Sequence, residues 1–76
     1  MKNNKINTYV EELSGIIMHD IEKNLLNKSI RSNIDKDIGE RVVIYIEDNF
    51  PQYRIDISDI SGLNRKVKLT GYRVLD

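Results

Sequence analysis

The chain contains no cysteine, no tryptophan and no alanine, and it has one proline and one histidine. Without cysteine, neither a disulfide nor a thiolate zinc site can stabilise it. The single histidine, His19, excludes the usual multi-histidine metal sites and leaves little material for a nucleophile–base pair. No phosphate-binding glycine loop or nucleophile-elbow motif is present. We therefore expect a protein that is not an enzyme and that uses neither a cofactor nor a metal.

Charge of one sign is not in excess, because 12 basic residues balance 12 acidic ones. A dedicated DNA-binding domain usually has a basic excess, so nucleic acid is possible but not favoured as a partner. The longest apolar run is Val42 to Ile46, far too short to span a membrane. These observations predict no membrane partner and a cytoplasmic location. The residue usage, rich in Ile, Asn and Lys, is typical of AT-rich genomes and favours a phage or mobile-element accessory protein.

Two helices are predicted in the first half of the chain. Thr8 and Glu11 form a capping-box pattern ahead of an apolar stripe at helical spacing, which predicts a helix over about 8–27. Ser32 and Asp35 form a second capping pattern and Gly39 suits a helix C-terminus, which predicts a short helix over about 33–38, with one long kinked helix as the alternative. The stripe of the first helix consists of Ile6, Val10, Leu13, Ile17, Ile21 and Leu25.

Beyond Gly39 the apolar residues recur at every second position, which predicts strands over about 41–47, 52–58 and 65–75. Gly71 interrupts the last alternation and is interpreted as a β-bulge. Short connections favour an antiparallel meander. The predicted fold class is thus α+β, a single small domain over 1–76 in which the long helix covers one face of a three-stranded sheet.

The apolar residues outnumber the places available in so small a core. A chain of 76 residues forms a marginal core on its own, so the surplus indicates a surface for a partner. The predicted meander places Val43 and Tyr45 on the face away from the helix. Together with basic strand residues and two loop-tip residues, they form a predicted protein interface: Val43, Tyr45, Phe50, Arg54, Ile60, Lys66, Lys68 and Tyr72.

The favoured function is a small non-catalytic protein-binding module. It either self-associates, with a homodimer favoured, or docks onto a larger cytosolic host machine as an inhibitor or adaptor. One alternative is a small self-assembling structural subunit. The other is a nucleic-acid-binding module, because bases can stack on strand aromatics above basic side chains; its predicted residues are Arg54, Lys66, Lys68 and Arg73, with Tyr45 and Tyr72 nearby.

Overall fold

The described part of the chain contains two helices and a three-stranded antiparallel sheet, which confirms the α+β class with a helix first. This computed structural model describes residues 4–60 and 65–74. The predicted end of the last strand at residue 75 lies outside the described residues. The elements, in chain order, are α1 (Asn4–Lys23), β1 (Lys28–Asp35), α2 (Lys36–Asn49), β2 (Tyr53–Asp59) and β3 (Lys66–Arg73).

The strand order is β1-β3-β2, so the predicted meander is wrong. The last strand, β3, lies in the centre and is antiparallel to both neighbours. The two edge strands are therefore parallel to each other and are connected through α2. This is the split β-α-β arrangement, in which a third strand occupies the gap between two strands joined by a helix.

Both helices pack on the same face of the sheet. A Cβ atom added at Gly71 would meet Ile17 and Ile21 of α1, and one added at Gly39 of α2 would meet Val67 and Leu69. Since Val67, Leu69 and Gly71 alternate along β3, they share a face. The buried apolar core comprises Val10, Leu13, Ile17, Ile21, Ile34, Val42, Ile46, Tyr53, Ile55, Val67 and Leu69.

The predicted short helix over 33–38 is misplaced, because residues 33–35 belong to β1 and residues 36–38 are only the first turn of the longer α2. Ile30 and Ile34, four residues apart, resemble a helical pair. In the sheet they lie on opposite faces because the register against β3 shifts by one residue between Arg31 and Ile34. Asn33 has a positive φ of 62° at this point. A β-bulge reverses the facing of a strand in this way.

The predicted strand over 41–47 is also wrong, because this segment lies inside α2. Gly39, Val42 and Ile46 are the buried residues of this helix, and their spacing of three and four is helical. The β-branched run favours a strand locally, but packing against the sheet overrides that preference. The helix ends before Pro51, which disfavours helical dihedrals at Phe50.

Helix α1 begins and ends four residues earlier than predicted. It starts at Asn4 and ends at Lys23, so Thr8 is not its N-cap. At the C-terminal end, Asn24 Oδ1 accepts a hydrogen bond from the Leu26 N–H at 2.8 Å. Such side-chain bonds to local backbone compete with helix formation. Leu25 is consequently exposed and does not join the core.

The predicted bulge at Gly71 is wrong, since the pairing of β3 with both neighbours is regular there. The absence of a side chain at Gly71 instead lets neighbouring isoleucine side chains pack directly against the backbone of β3. A Cβ atom at this position would lie 2.9 Å from Ile55 Cδ1 and 3.1 Å from side-chain atoms of Ile17 and Ile21. The strands 52–58 and 65–75 are otherwise predicted to within a few residues of β2 and β3.

Candidate binding surface on the open face of the sheet

The sheet has one face that neither helix covers, and we call it the open face. Since β3 directs Val67, Leu69 and Gly71 toward the helices, its intervening side chains point the other way. Strand pairing extends this face over the neighbouring strands. The open face consists of Lys28, Ile30, Asp35, Arg54, Asp56, Ser58, Lys66, Lys68, Thr70 and Tyr72.

An aromatic side chain lies between two cations on this face. Tyr72 of β3 is paired with Lys28 of β1 on one side and with Arg54 of β2 on the other. Side chains directly opposite each other on paired strands have Cβ atoms about 4.5–5.5 Å apart. Lys28 and Arg54 therefore flank the Tyr72 ring in a single row across the sheet.

The rest of the open face is polar and mainly basic. Lys68 is opposite Ser58, and Lys66 is opposite Asp35. Asp56 is opposite Thr70 rather than a lysine. Ile30 is the exposed aliphatic side chain of this face. The surface thus combines four cations with one aromatic ring, two carboxylates and several hydroxyl groups.

The two layers of the fold carry opposite formal charge. The helices contain eight acidic and four basic residues, a net charge of −4. The strands contain six basic and three acidic residues, a net charge of +3. A chain of zero net charge is therefore electrostatically polarised, with its positive end at the sheet. The open face itself carries four basic and two acidic residues, a net charge of +2, which orients an anionic partner toward it.

The cations of the open face are not neutralised by ion pairs. Within residues 4–60 and 65–74, the ion pairs are Arg31–Asp20 at 2.7 Å, Arg65–Asp37 at 2.8 Å and Arg73–Glu22 at 3.4 Å. None of these includes a residue of the open face. The lysine ammonium groups on this face are therefore available to an external anion.

Arg54 is held in place by the backbone at the start of β2. Its Nη1 donates hydrogen bonds to the carbonyl oxygens of Pro51 and Tyr53, each at 3.0 Å. These bonds use part of the guanidinium, which has five N–H donors, and leave the others free. They also lower the entropy that the side chain loses when it binds a ligand.

The predicted interface residues are divided between the two layers. Arg54, Lys66, Lys68 and Tyr72 lie together on the open face. The other residues are half-buried and lie elsewhere: Val43, Tyr45, Phe50 and Ile60.

Val43 and Tyr45 do not lie on a strand face, because α2 replaces the predicted strand. Val43, Tyr45 and Phe50 pack against the core from the helix layer, with the Tyr45 and Phe50 rings in edge contact at 6.1 Å. Ile60 follows β2, where its N–H bonds the carbonyl oxygen of Lys66 at 3.1 Å.

Arg73, predicted for nucleic-acid binding, is on the opposite face of the sheet. It is paired with Tyr53, and its guanidinium faces Glu22 of α1. Conversely, Lys28 and Ile30 belong to the open face but were not predicted there. Their alternation in the sequence is the signal, and it was obscured by the helical spacing of Ile30 and Ile34.

The β1 edge leaves backbone groups unpaired. The Val74 N–H donates a hydrogen bond to the Gln52 carbonyl oxygen, and the Lys66 carbonyl oxygen accepts one from the Ile60 N–H, so both groups are directed toward the β2 side. The backbone N–H and C=O groups of even-numbered β3 residues, Thr70 included, are therefore directed toward β2 and away from β1. Because Thr70 makes no backbone hydrogen bond to its β1 partner Ile30, the N–H and carbonyl of Ile30 are directed outward from the sheet. Large aliphatic side chains are exposed around this edge: Leu25 at 99%, Leu26 at 76% and Ile30 at 60%.

The β2 edge is partly closed by comparison. Glu47 of α2 accepts a hydrogen bond from the Ile55 N–H at 3.1 Å. The Tyr53 N–H bonds the Phe50 carbonyl at 3.0 Å. Satisfied edge groups are less able to pair with another strand, so β1 is the more open of the two edges.

Over residues 4–60 and 65–74 there is no group of three or more His, Asp or Glu side chains placed to hold a metal ion. No helix of the described part is long and apolar enough to cross a membrane. Comparison with protein-family models, curated proteins and solved structures finds no match.

Proposed function

We propose that this chain is a non-catalytic binding module whose open face binds an anionic macromolecule. The observation that carries the proposal is the charge separation between the acidic helices and the open face, on which four basic residues outnumber two acidic ones. The opposite charges of the layers orient the approaching partner and raise its association rate. No chemical step is required of the protein.

The unpaired state of the lysines supports this proposal. Lys66 and Lys68 lie two residues apart on β3, which separates them by about 6.6 Å along the strand. A linear polyanion can contact both at once. Lys28 and Arg54 extend the positive surface to the two edge strands. Displacement of counterions from the partner would then contribute to affinity and make it fall with added salt.

Retention on immobilised heparin, a generic polyanion, tests the proposal. We expect the double variant Lys66→Glu/Lys68→Glu to elute at markedly lower salt than the unchanged protein. The matched control is Lys5→Glu/Arg41→Glu, which makes the same charge change on exposed residues of the helices. It should retain most of the binding. Equal losses in the two variants, or no loss in either, would contradict binding through the open face.

Self-association is a second candidate function, favoured by the open β1 edge. Unpaired backbone groups beside exposed aliphatic side chains are a ready site for pairing with another strand. Leu26 and Ile30 would be buried in such a pairing, forming a sheet across two chains. This candidate retains the homodimer and the small structural subunit as possible assemblies.

Light scattering over a dilution series tests self-association. We expect Ile30→Thr, which keeps a β-branched residue, to lower the mass of any assembly. Ile44→Thr is the control, because Ile44 is equally exposed, at 61%, but lies on α2. A monomeric mass at every concentration would contradict this candidate while leaving binding by the open face intact.

A cytoplasmic location and the role of a phage or mobile-element accessory protein belong to the same proposal. They are supported by the absence of cysteine and by the residue usage of the chain. An inhibitor of a host machine that carries an acidic surface is compatible with the open face. Capture of one defined host protein, lost in Lys66→Glu/Lys68→Glu, would identify such a target.

A further inference from the structure

We infer that the anionic partner of the open face is a single-stranded nucleic acid, with one base stacked on Tyr72. This inference rests on the proposed function and names the class of partner. It is carried by the row Lys28–Tyr72–Arg54 across the three strands. An aromatic ring supplies a stacking surface, and cations on both sides supply contacts to phosphate groups.

The central position of Tyr72 suits it for stacking. It lies on the middle strand and is half-buried, so its ring is supported by neighbours on both sides. Proteins that bind single strands on a sheet place aromatic side chains on inner strands, where unstacked bases lie flat against them. Arg54 also has a planar guanidinium that can stack on a base or bind a phosphate.

The residues along β3 extend the site in one direction. From Tyr72 through Thr70 and Lys68 to Lys66 the strand covers about 20 Å. Thr70 offers a hydroxyl group that can donate to or accept from a base edge. The two lysines then follow at the spacing of alternate strand residues. A single-stranded nucleic acid lying along β3 would meet a stacking group, a polar group and two cations in succession.

The shape of the molecule argues against a duplex as the preferred partner. Reading a major groove requires a protruding helix or β-ribbon, whereas both helices of this protein lie behind the sheet and are acidic. A base in a duplex is already stacked and is not available to Tyr72. The open face therefore favours unpaired bases.

The composition of the face also argues against an acidic protein. Protein interfaces usually contain a central cluster of apolar and aromatic residues with a polar rim. Here the centre of the face holds Tyr72 and Thr70, and the exposed aliphatic residue, Ile30, lies on an edge strand. Cations flank this single ring on two sides, which is the pattern expected for nucleotides.

Fluorescence anisotropy with a labelled single-stranded oligothymidylate of 12 nucleotides tests this inference. We expect Tyr72→Leu, which keeps an apolar side chain of similar size, to weaken binding by about tenfold. Tyr72→Phe retains the ring and should bind almost as the unchanged protein does. Tyr9→Leu is the control, since Tyr9 is exposed on α1. Circular dichroism establishes that each variant is folded.

Competition separates failure of the inference from failure of the proposed function. Unlabelled oligothymidylate should displace the probe far better than a 12-base-pair duplex or a polyglutamate of equal charge. If polyglutamate competes equally, or Tyr72→Leu binds normally, the partner is another polyanion and the inference is overturned, although the proposed function stands. If neither heparin nor the oligonucleotide binds, both proposals are wrong.

Discussion

The backbone of α2 at Gly39 lies directly against the side chain of Val67 on the central strand. A Cβ atom added at Gly39 would be 2.8 Å from Val67 Cγ2, closer than van der Waals contact. The absence of a side chain therefore sets the distance between the helix and the sheet. Gly15 of α1 provides the contrast, because no heavy atom outside its own helix backbone and chain neighbours lies within 4 Å of its added Cβ.

Substitution of these two glycines by alanine should have opposite effects. We expect Gly39→Ala to lower the free energy of unfolding, since overpacking costs about 1–3 kcal/mol and exceeds the gain of about 1 kcal/mol in helix propensity. Gly15→Ala should raise it by up to about 1 kcal/mol, because only the propensity changes. Urea unfolding followed by circular dichroism measures both. A stabilised Gly39→Ala variant would contradict the close packing described here.

Ser14 of α1 should be replaceable by alanine with a gain in stability. Its side chain is fully buried, and its hydroxyl has no hydrogen-bond partner within the described part of the protein. An unsatisfied buried polar group costs about 1–3 kcal/mol, and alanine removes it while favouring the helix. We expect Ser14→Ala to raise the free energy of unfolding by about 1 kcal/mol. A lower denaturation midpoint would indicate that the hydroxyl has a partner in solution.

Asp20 should make the protein sensitive to acid. Its carboxylate accepts hydrogen bonds from Arg31 at 2.7 Å and 3.0 Å and from Ser29 at 3.1 Å, tying α1 to β1. The hydrogen bonds from Arg31 are the main cause that lowers the pKa of Asp20 below its ordinary value of 3.8. A group with a lowered pKa stabilises the fold above its unfolded pKa and loses this contribution as the pH falls through the folded value.

The melting temperature of Asp20→Asn measured from pH 7 to pH 2 checks this contribution. At pH 7 the variant should be less stable by about 0.5–1 kcal/mol, as expected for a partly exposed ion pair. As the pH falls below the unfolded pKa of about 3.9 and through the lower folded pKa, the difference should shrink. A difference that stays constant across this range would show that Asp20 contributes through packing alone.

Tyr53 should confer the opposite sensitivity at high pH. Its hydroxyl donates a hydrogen bond to Glu22 of α1. Burial, and then the Glu22 carboxylate, raise the pKa of Tyr53 above its ordinary value of 10.0. The contribution of the neutral phenol to stability is complete below pH 10 and is lost as the pH rises through the folded pKa.

Unfolding experiments between pH 8 and pH 12 check the role of Tyr53. Tyr53→Phe removes the titrating group and the hydrogen bond, so the variant should be less stable than the unchanged protein at pH 8. Between pH 10 and pH 12 the free energy of unfolding of Tyr53→Phe should fall by less than that of the unchanged protein. Tyr72→Phe is the control, because Tyr72 is on the open face and has no carboxylate partner among the described residues. Parallel pH profiles for all three proteins would refute this assignment.

Residue patterns predicted the parts of the fold in which local period and burial agree. The spacing of Val10, Leu13, Ile17 and Ile21 identified α1, and the alternation from Tyr53 to Ile57 identified β2. The segment 28–49 was assigned incorrectly because its local pattern is ambiguous. Ile30 and Ile34 lie at helical spacing although they belong to a strand with a bulge between them. The residues 42–46 alternate as in a strand although they belong to α2. Only contact with the sheet distinguishes the two possibilities.

The sequence alone determined the α+β class, the long first helix, the last two strands and the lack of material for a thiol or multi-histidine site, since these depend on composition and short-range period. Tertiary structure decided which residues share the open face. Lys28, Tyr72 and Arg54 form one row only because β3 lies between β1 and β2. Strand order depends on pairing between segments that are far apart in the sequence, so the pattern of one segment does not reveal it. The same pairings divide a neutral chain into an acidic layer and a basic one.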